Sequence, residues 1–438
     1  MLEKISSFPF SHLIRNKSIQ NFIFLVIIQA SNILISLISM PLLIQSLGVD
    51  QFGLVNLALS VIILLNILVG FGYNLSGPRE VAIQQGNKEQ LSHLFSNIIS
   101  SKILMAACAS LLILIGVYVL DLFKEYQTIL VFSCLLLFSE ATLPLWFFQG
   151  MEKMKLISIT NVFSKLLFLM GIVLFIHHPE QAKWVNFLLG GSGLAINLLL
   201  LLYVHYEMEI RFYKPRFAQV FHSLKENSLL FLSNLATHVS TNGGLIILSF
   251  FSVAATLGMF SLAERITMVL RMLPSLIIQA IYPNASKLYH DNLPHFFNFL
   301  KKTYLIALLL GIGLSMFTFF TAGFIVEILA KERLEEAILF LKILAFVPFL
   351  ACLNIINVTM LLVTDQKDQL FKASWQICIY MLIASVGLTS QLGGIGLCIA
   401  LLSTEVVIFL ICTILIYKNN KVLYYGFQKA LFGSHHHP

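Results

Sequence analysis

Charge is what this sequence has least of. Asp, Glu, Lys and Arg make up 11% of the 438 residues, against about 25% in a soluble domain, which excludes the water-soluble globular class. Nucleotide, metal and nucleophile motifs are missing as well: no P-loop, HExxH, GxSxG or DxDxDG loop occurs, so nothing marks an enzyme. The six cysteines have no CxxC spacing and all fall inside apolar runs. They read as small packing residues, not as a disulfide or metal framework. A cleavable signal is not expected, because the first apolar run is too long for a signal's apolar core and no small-residue cleavage site follows it. Gly433-Ser434-His435-His436-His437-Pro438 reads as a tag remnant.

What the chain does have is apolar length. Hydrophobic residues make up 58% of it, with a mean hydropathy of +0.88. Runs of about 20 residues, each able to cross a hydrocarbon core of roughly 30 Å, predict an all-α polytopic membrane protein. A β-barrel is excluded, since its strands would alternate over about 10 residues. Twelve spans are expected, over 18–40, 51–73, 92–120, 126–149, 155–177, 183–206, 228–251, 255–281, 301–327, 335–363, 371–391 and 393–417. If both termini lie on one side, that side collects 19 Lys and Arg in its connections and tails, among them Arg79, Lys88, Lys153, Arg211, Lys287 and Lys372, and the other side collects four. The positive-inside bias then makes both termini cytoplasmic. The net charge of +7 follows from this asymmetry and predicts no nucleic-acid partner.

The chain also repeats itself. Gln29, Asn32, Ser36 and Ser39 recur at i, i+3, i+7 and i+10, one polar stripe on an otherwise apolar helix. A shift of 205 residues places Gln29 on Asn234, Asn32 on Thr237, Ser36 on Thr241 and Gly53 on Gly258. The expected organisation is therefore two pseudo-symmetric six-helix bundles, 1–206 and 228–417. They are joined by a cytoplasmic linker, 207–227, and followed by a basic tail, 418–438. With six spans per half the repeat is parallel. The amphipathic pattern Phe217, Val220, Phe221, Leu224 predicts a helix lying on the membrane surface.

Ionisable groups at membrane depth are the informative residues, since each costs about 2.5–3.5 kcal/mol on insertion scales. Five are basic, Lys102, Lys165, Arg265, Arg271 and Lys342; three are acidic and well inside, Glu140, Glu264 and Glu405. Lys102 and Lys342 lie close enough to an interface to snorkel. Glu264 and Arg271 share a helix face at i, i+7 and could pair there. Lys165 and Arg265 sit about 15 Å from their span ends, with no acid at i±3 or i±4. They are expected to face an aqueous cavity whose excess of positive charge suits an anionic ligand.

Pro41-Leu42-Leu43-Ile44, Leu47-Gly48, Phe52-Gly53, Gly70-Phe71-Gly72 and Gly77-Pro78-Arg79-Glu80-Val81-Ala82 resemble the bacterial O-antigen and polysaccharide flippases. These form the polysaccharide-transporter branch of the multidrug/oligosaccharidyl-lipid/polysaccharide exporter superfamily. Leu257-Gly258-Met259-Phe260-Ser261-Leu262-Ala263 and Tyr282-Pro283 are similar to the matching second-half motifs, with Phe260 where Tyr is more usual. The resemblance, over nearly all of 15–420, implies two bundles around a central V-shaped cavity and alternating access. It also implies an undecaprenyl-pyrophosphate-linked oligosaccharide carried across the bacterial inner membrane, with no cofactor beyond a coupling proton or sodium ion. Arg79 stands at the Arg of the family's Gly-x-Arg motif. On this reading Arg265, Arg271 and Lys165 hold the diphosphate, and Arg79 and Lys342 stand at the two mouths. Gln29, Asn32 and Asn234 suit sugar hydroxyls, and Glu140 and Glu405 are ion-coupling candidates. An O-antigen polymerase and a chain-length regulator are expected membrane partners. The rival readings are a cation-coupled multidrug exporter and an O-antigen polymerase or ligase.

Overall fold

The computed structural model describes residues 17–214, 217–364 and 366–433. Lys4, Arg15, Arg216 and 434–438 of the tail lie outside the described residues, as do the side chains of Lys17, Phe217 and Lys367. All described elements are helices. Two compact units are resolved, Met1–His238 and Val239–Pro438.

The first unit opens with α1, Lys17–Gly70, which is broken at Gly48 (φ 80°). That left-handed backbone costs glycine little and an L residue much, so the break falls in the motif Leu47-Gly48. The chain continues through α2, Tyr73–Gln84; α3, Lys88–Tyr118; and three short helices, α4, Gln127–Ser133, α5, Leu135–Thr142, and α6, Leu145–Gly150. Pro144, without an N–H, stands at the α5–α6 interruption. The unit closes with α7, Met154–Phe175, α8, Ala182–Tyr206, and most of α9, Phe217–Asn242. Its core gathers Tyr73, Phe95, Trp146, Phe147 and Phe148 with aliphatic neighbours. Asn186 of α8 is buried and satisfied, donating to Val55 O (3.1 Å) and Ser133 Oγ (2.9 Å) and so tying three helices together.

The glycine-proline-arginine stretch has a packing role. A Cβ on Gly77 would lie 3.0 Å from the Trp146 ring, and one on Gly150 would lie 2.6 Å from Pro78 O and from Val81 Cβ. α2 and α6 thus pack at backbone distance, and Gln85 Nε2 donates to Gly150 O (2.5 Å). The segment 207–214 is docked as well. Ser92 and Ser96, one turn apart on α3, accept from Arg211 N (3.0 Å) and Tyr213 N (2.9 Å), and His93 stacks on Tyr213. Lys88 pairs with Glu209, and this hydrogen bond holds the Glu209 carboxyl below its usual range. Residues 217–227 of the expected linker are the first turns of α9 and run straight on into the expected seventh span. Val220 is buried and Tyr73 Oη bonds Ser223 Oγ (3.0 Å), whereas Phe221 is exposed.

In the second unit α10, Gly244–Ser249, and α11, Ala254–Asp291, lead to α12, Leu293–Ala330. Next come α13, Glu335–Leu344, α14, Val347–Leu353, α15, Ile355–Val363, and α16, Lys367–Asn419, which is broken at Gly393 (φ 57°). An amphipathic α17, Lys421–Phe432, ends the described chain. Asn87, Asn292 and Asn420 cap α3, α12 and α17, each side chain accepting from backbone N–H groups of the first turn at 3.1 Å. The core runs through Phe296, Leu300, Cys352, Ile355, Met360 and Cys412, so two of the cysteines are indeed packing residues.

Nine stretches of the described residues are long and apolar enough to span a membrane, which makes this a multi-pass membrane protein. The first and last are 62 and 51 residues long, well beyond the roughly 20 needed for one crossing, and each contains a glycine break. Twelve crossings remain the expectation from hydropathy. Gly150→Ala should destabilise the protein by about 1–3 kcal/mol, the usual cost of overpacking, because the facing atoms include the Pro78 carbonyl, which cannot rotate away. Thermal unfolding in detergent checks this; a melting temperature equal to that of the parent would contradict the close α2–α6 packing.

Candidate functional site

Each unit contains a cavity with ionisable side chains in its wall. In the first unit the cavity has a volume of about 210 Å³. Helical spacing builds it: Asn161, Ser164 and Lys165 project from one face of α7, Gly193 and Asn197 from one face of α8, Ser139 and Glu140 from the end of α5, and Asn32 and Asn66 from α1. At Gly193 the space that a Cβ would take is filled by Ser139 Oγ. Asn197 Nδ2 donates to Ser139 O (2.8 Å), a carbonyl freed near the Pro144 interruption. Behind the wall Lys102 of α3 is 1% exposed and pairs with Glu140 (3.6 Å), itself 27% exposed. Lys165 lines the same cavity as Glu140. Asn32 Oδ1 and Asn66 Oδ1 are buried with no hydrogen-bond partner among the described residues. Each would cost about 1–3 kcal/mol if left dry.

The second unit holds a cavity of about 40 Å³, lined by Glu264, Thr267 and Arg271 of α11 at i, i+3 and i+7 and by Thr404 and Glu405 of α16. Arg271 Nη2 meets Glu405 Oε1 at 2.5 Å; the guanidinium is one-third exposed and the carboxylate 5% exposed. The hydroxyls of Thr267 and Thr404 donate to their own helices, at Ala263 O (2.9 Å) and Ala400 O (2.7 Å). The space is of water or small-ion size.

Of the expected site residues, Lys165, Glu140 and Asn32 meet around the first cavity, and Arg271 and Glu405 around the second. Arg265 neighbours Glu264 on α11 without lining either of these cavities. Lys342 lies over the Phe319 ring, 5.8 Å from its centroid. Arg79 and Gln29 are exposed on α2 and α1, Asn234 is half-buried on α9, and none of the three lines either cavity. Two expectations are corrected. Lys102 does not snorkel: it is enclosed by helices and held by Glu140. Arg271 does not pair along its own helix with Glu264, because Glu405 of α16 comes closer. The repeat is also used unequally, since Asn32 lines its cavity while its counterpart Thr237 lines neither. Asn66, Asn161, Asn197, Thr267 and Thr404 went unnoticed in the sequence. The signal was there in Asn161-Ser164-Lys165 and Glu264-Thr267-Arg271, polar groups on one helical face beside an ionisable residue.

A family model described as polysaccharide biosynthesis protein matches residues 18–289. Among curated proteins, two provisionally named as O-antigen transporters are similar to the chain. One, from Escherichia coli (strain K12), is 26% identical over 405 residues, covering 92% of this chain and 97% of that protein. The other, from Shigella dysenteriae, is 25% identical over 401 residues, covering 89% of this chain and 98% of that protein. Among solved structures, an inward-facing multidrug resistance transporter of the MATE family superposes with a TM-score of 0.69 at 15% identity, over 92% of this chain and 99% of that one. The lipid II flippase MurJ in an inward closed conformation superposes with a TM-score of 0.70 at 13% identity, over 94% and 91%. These structural likenesses establish the fold.

Glu140→Ala leaves the buried Lys102 ammonium without its carboxylate and should destabilise the protein by about 3 kcal/mol, the low end for a broken buried pair. Lys102→Met in the same chain should recover most of that loss. Melting temperatures of the single and double variants in detergent decide this: a double variant as unstable as Glu140→Ala would show that the pairing is not what holds Lys102.

Proposed function

The chain belongs to the polysaccharide biosynthesis protein family, and on that premise we propose that it is a flippase for lipid-linked oligosaccharide. Its cargo is a polysaccharide repeat unit on undecaprenyl pyrophosphate, moved from the cytoplasmic to the periplasmic leaflet of the bacterial inner membrane by alternating access. Both termini are cytoplasmic, as the Lys and Arg count supports. The observation that carries the reading is the presence of polar, ion-bearing cavities inside apolar helical units of a chain in this family.

Arg265, Arg271 and Lys165 bind the diphosphate, Arg271 offering a guanidinium fork matched to phosphate oxygens. Arg79 and Lys342 serve entry and exit. Gln29, Asn32 and Asn234 meet sugar hydroxyls, and the polyprenyl tail stays in lipid. Glu140 and Glu405, each a carboxylate beside a cavity and a cation, are the coupling sites for a proton or sodium ion. An O-antigen polymerase and a chain-length regulator receive the product in the same membrane.

A multidrug exporter of the same fold is the competing reading. Of the three carboxylates lining the cavities, Glu140 is matched by Lys102 and Glu405 by Arg271, and Glu264 stands beside Arg265 in the sequence, so the acids carry no excess negative charge to draw a cationic drug. Deleting the gene should make lipid-linked single repeat units accumulate in the cytoplasmic leaflet and abolish long-chain surface polysaccharide, with drug susceptibility unchanged. Restoring the chain with Arg265→Ala and Arg271→Ala together should leave surface polymer, normalised to the amount of folded protein because Arg271→Ala also unpairs Glu405, reduced by about tenfold or more. Full retention of long-chain polymer, or sensitisation to cationic drugs without loss of polymer, would overturn the proposal.

A further inference from the structure

The amphipathic helix α17, Lys421–Phe432, has two faces, and the fold uses one of them. On the inner face Leu423 is buried, Ala430 is half-buried, and Phe427 meets the Tyr304 ring of α12 with 5.8 Å between centroids. At Gly426 the Phe297 ring fills the space a Cβ would take, so α17 lies directly on the start of α12. The opposite face, an arc of about 120° at 3.6 residues per turn, carries Gln428, Lys421, Phe432, Tyr425, Lys429 and Val422. Its apolar members are left uncovered by the protein: Val422 is 68%, Tyr425 54% and Phe432 77% exposed.

Two contacts set the depth of that face. α17 begins directly after the expected last span, 393–417, and packs on α12 between Phe297 and Tyr304, where the expected ninth span, 301–327, begins. Both place the helix at the end of the apolar runs, where hydrocarbon gives way to headgroups. The rings suit that zone. Tyr417, Tyr424 and Tyr425 cluster at centroid separations of 5.2, 5.4 and 6.3 Å, and tyrosine is enriched at membrane–water boundaries. In water the outer face would expose three large apolar groups; in hydrocarbon it would strand two ammonium groups. At the boundary the rings enter the upper acyl chains and the lysine stems reach headgroup level.

Charge selects the lipid. From Val406 to the last residue there is no Asp or Glu, while Lys418, Lys421 and Lys429 follow one another closely. Lys301 shares a face of α12 with Phe297 and Tyr304, at i+4 and i+7 from Phe297, and Lys302 is exposed beside it. Among the described residues none of these five lysines is in an ion pair. Lys421 lies over the Tyr417 ring, 5.9 Å from its centroid, a contact that leaves its charge unneutralised.

We propose that the outer face of α17 is a docking surface for anionic phospholipid, with its rings set into the acyl boundary and Lys418, Lys421 and Lys429 on the phosphates. The surface belongs to the second unit alone and does not depend on what the protein transports.

The test uses the full chain with Tyr425→Trp as a reporter on that face, in phosphatidylcholine nanodiscs holding a fixed fraction of dibrominated lipid. Quenching of the added emission should be strongest with bromines at the headgroup end of the acyl chains and weakest with bromines at the methyl end. Brominated phosphatidylglycerol should associate about threefold or more tightly than brominated phosphatidylcholine. K418Q/K421Q/K429Q should bring the two to parity at an unchanged melting temperature, since all three side chains are exposed. Sodium chloride at about 1 M should do the same without any lysine substitution, so the outcome does not hang on the folding of the triple variant. Equal quenching by the two headgroups, or a preference that survives salt or the lysine substitutions, overturns the lipid surface. Quenching strongest from the methyl end, or none from any position, overturns it too; the latter would put the face in water or against a second copy of the chain.

Discussion

An ion placed in hydrocarbon must find an opposite charge or water, and the internal organisation of this protein follows from that requirement. Lys102 and Glu405 are almost wholly enclosed, and each is held by a partner on another helix, 38 residues away for Lys102 and 134 for Glu405. The desolvation of such groups is repaid only if the pairing geometry is good. The helices that bear them therefore have to meet in one register, and both cavities lie directly beside the pairs.

Close helix packing is what makes such a register attainable. Gly77 and Gly150 let α2 and α6 touch at backbone distance, and Gly193 leaves the space that Ser139 Oγ occupies. Without an exclusion of water from between the helices, apolar area contributes little inside a bilayer, and close contact with interhelical hydrogen bonds takes over. Asn186 bridging α1, α4 and α8 is such a bond, as is Asn357 Nδ2 to Thr413 Oγ1 (2.9 Å) between α15 and α16. The motif Gly77-Pro78-Arg79 thereby has a structural reason independent of any ligand, while Arg79 itself remains exposed.

Much of the site could be read along the chain. Membrane-depth charges were visible as isolated Lys, Arg and Glu in apolar runs, and Lys165, Glu140, Arg271 and Glu405 all line cavities. Distance from a span end measures how easily the Lys102 ammonium could reach water, and says nothing of the helix that blocks the way. Periodicity reports neighbours at i+3, i+4 and i+7 only, which sets Glu264 beside Arg271 and leaves Glu405 out. Glu405 is beyond the reach of that kind of argument.

The linear sequence alone determined the solvent this protein lives in, the helical class and the family. All of these depend on composition, on local backbone preference or on short motifs, which need no knowledge of distant residues. The tertiary structure alone decided which charge neutralises which, and that Asn66 belongs beside Asn32 and Lys165 in one cavity wall. Those outcomes depend on which faces of different helices come together, and a pattern with a period of 3.6 residues describes one helix without naming its neighbour.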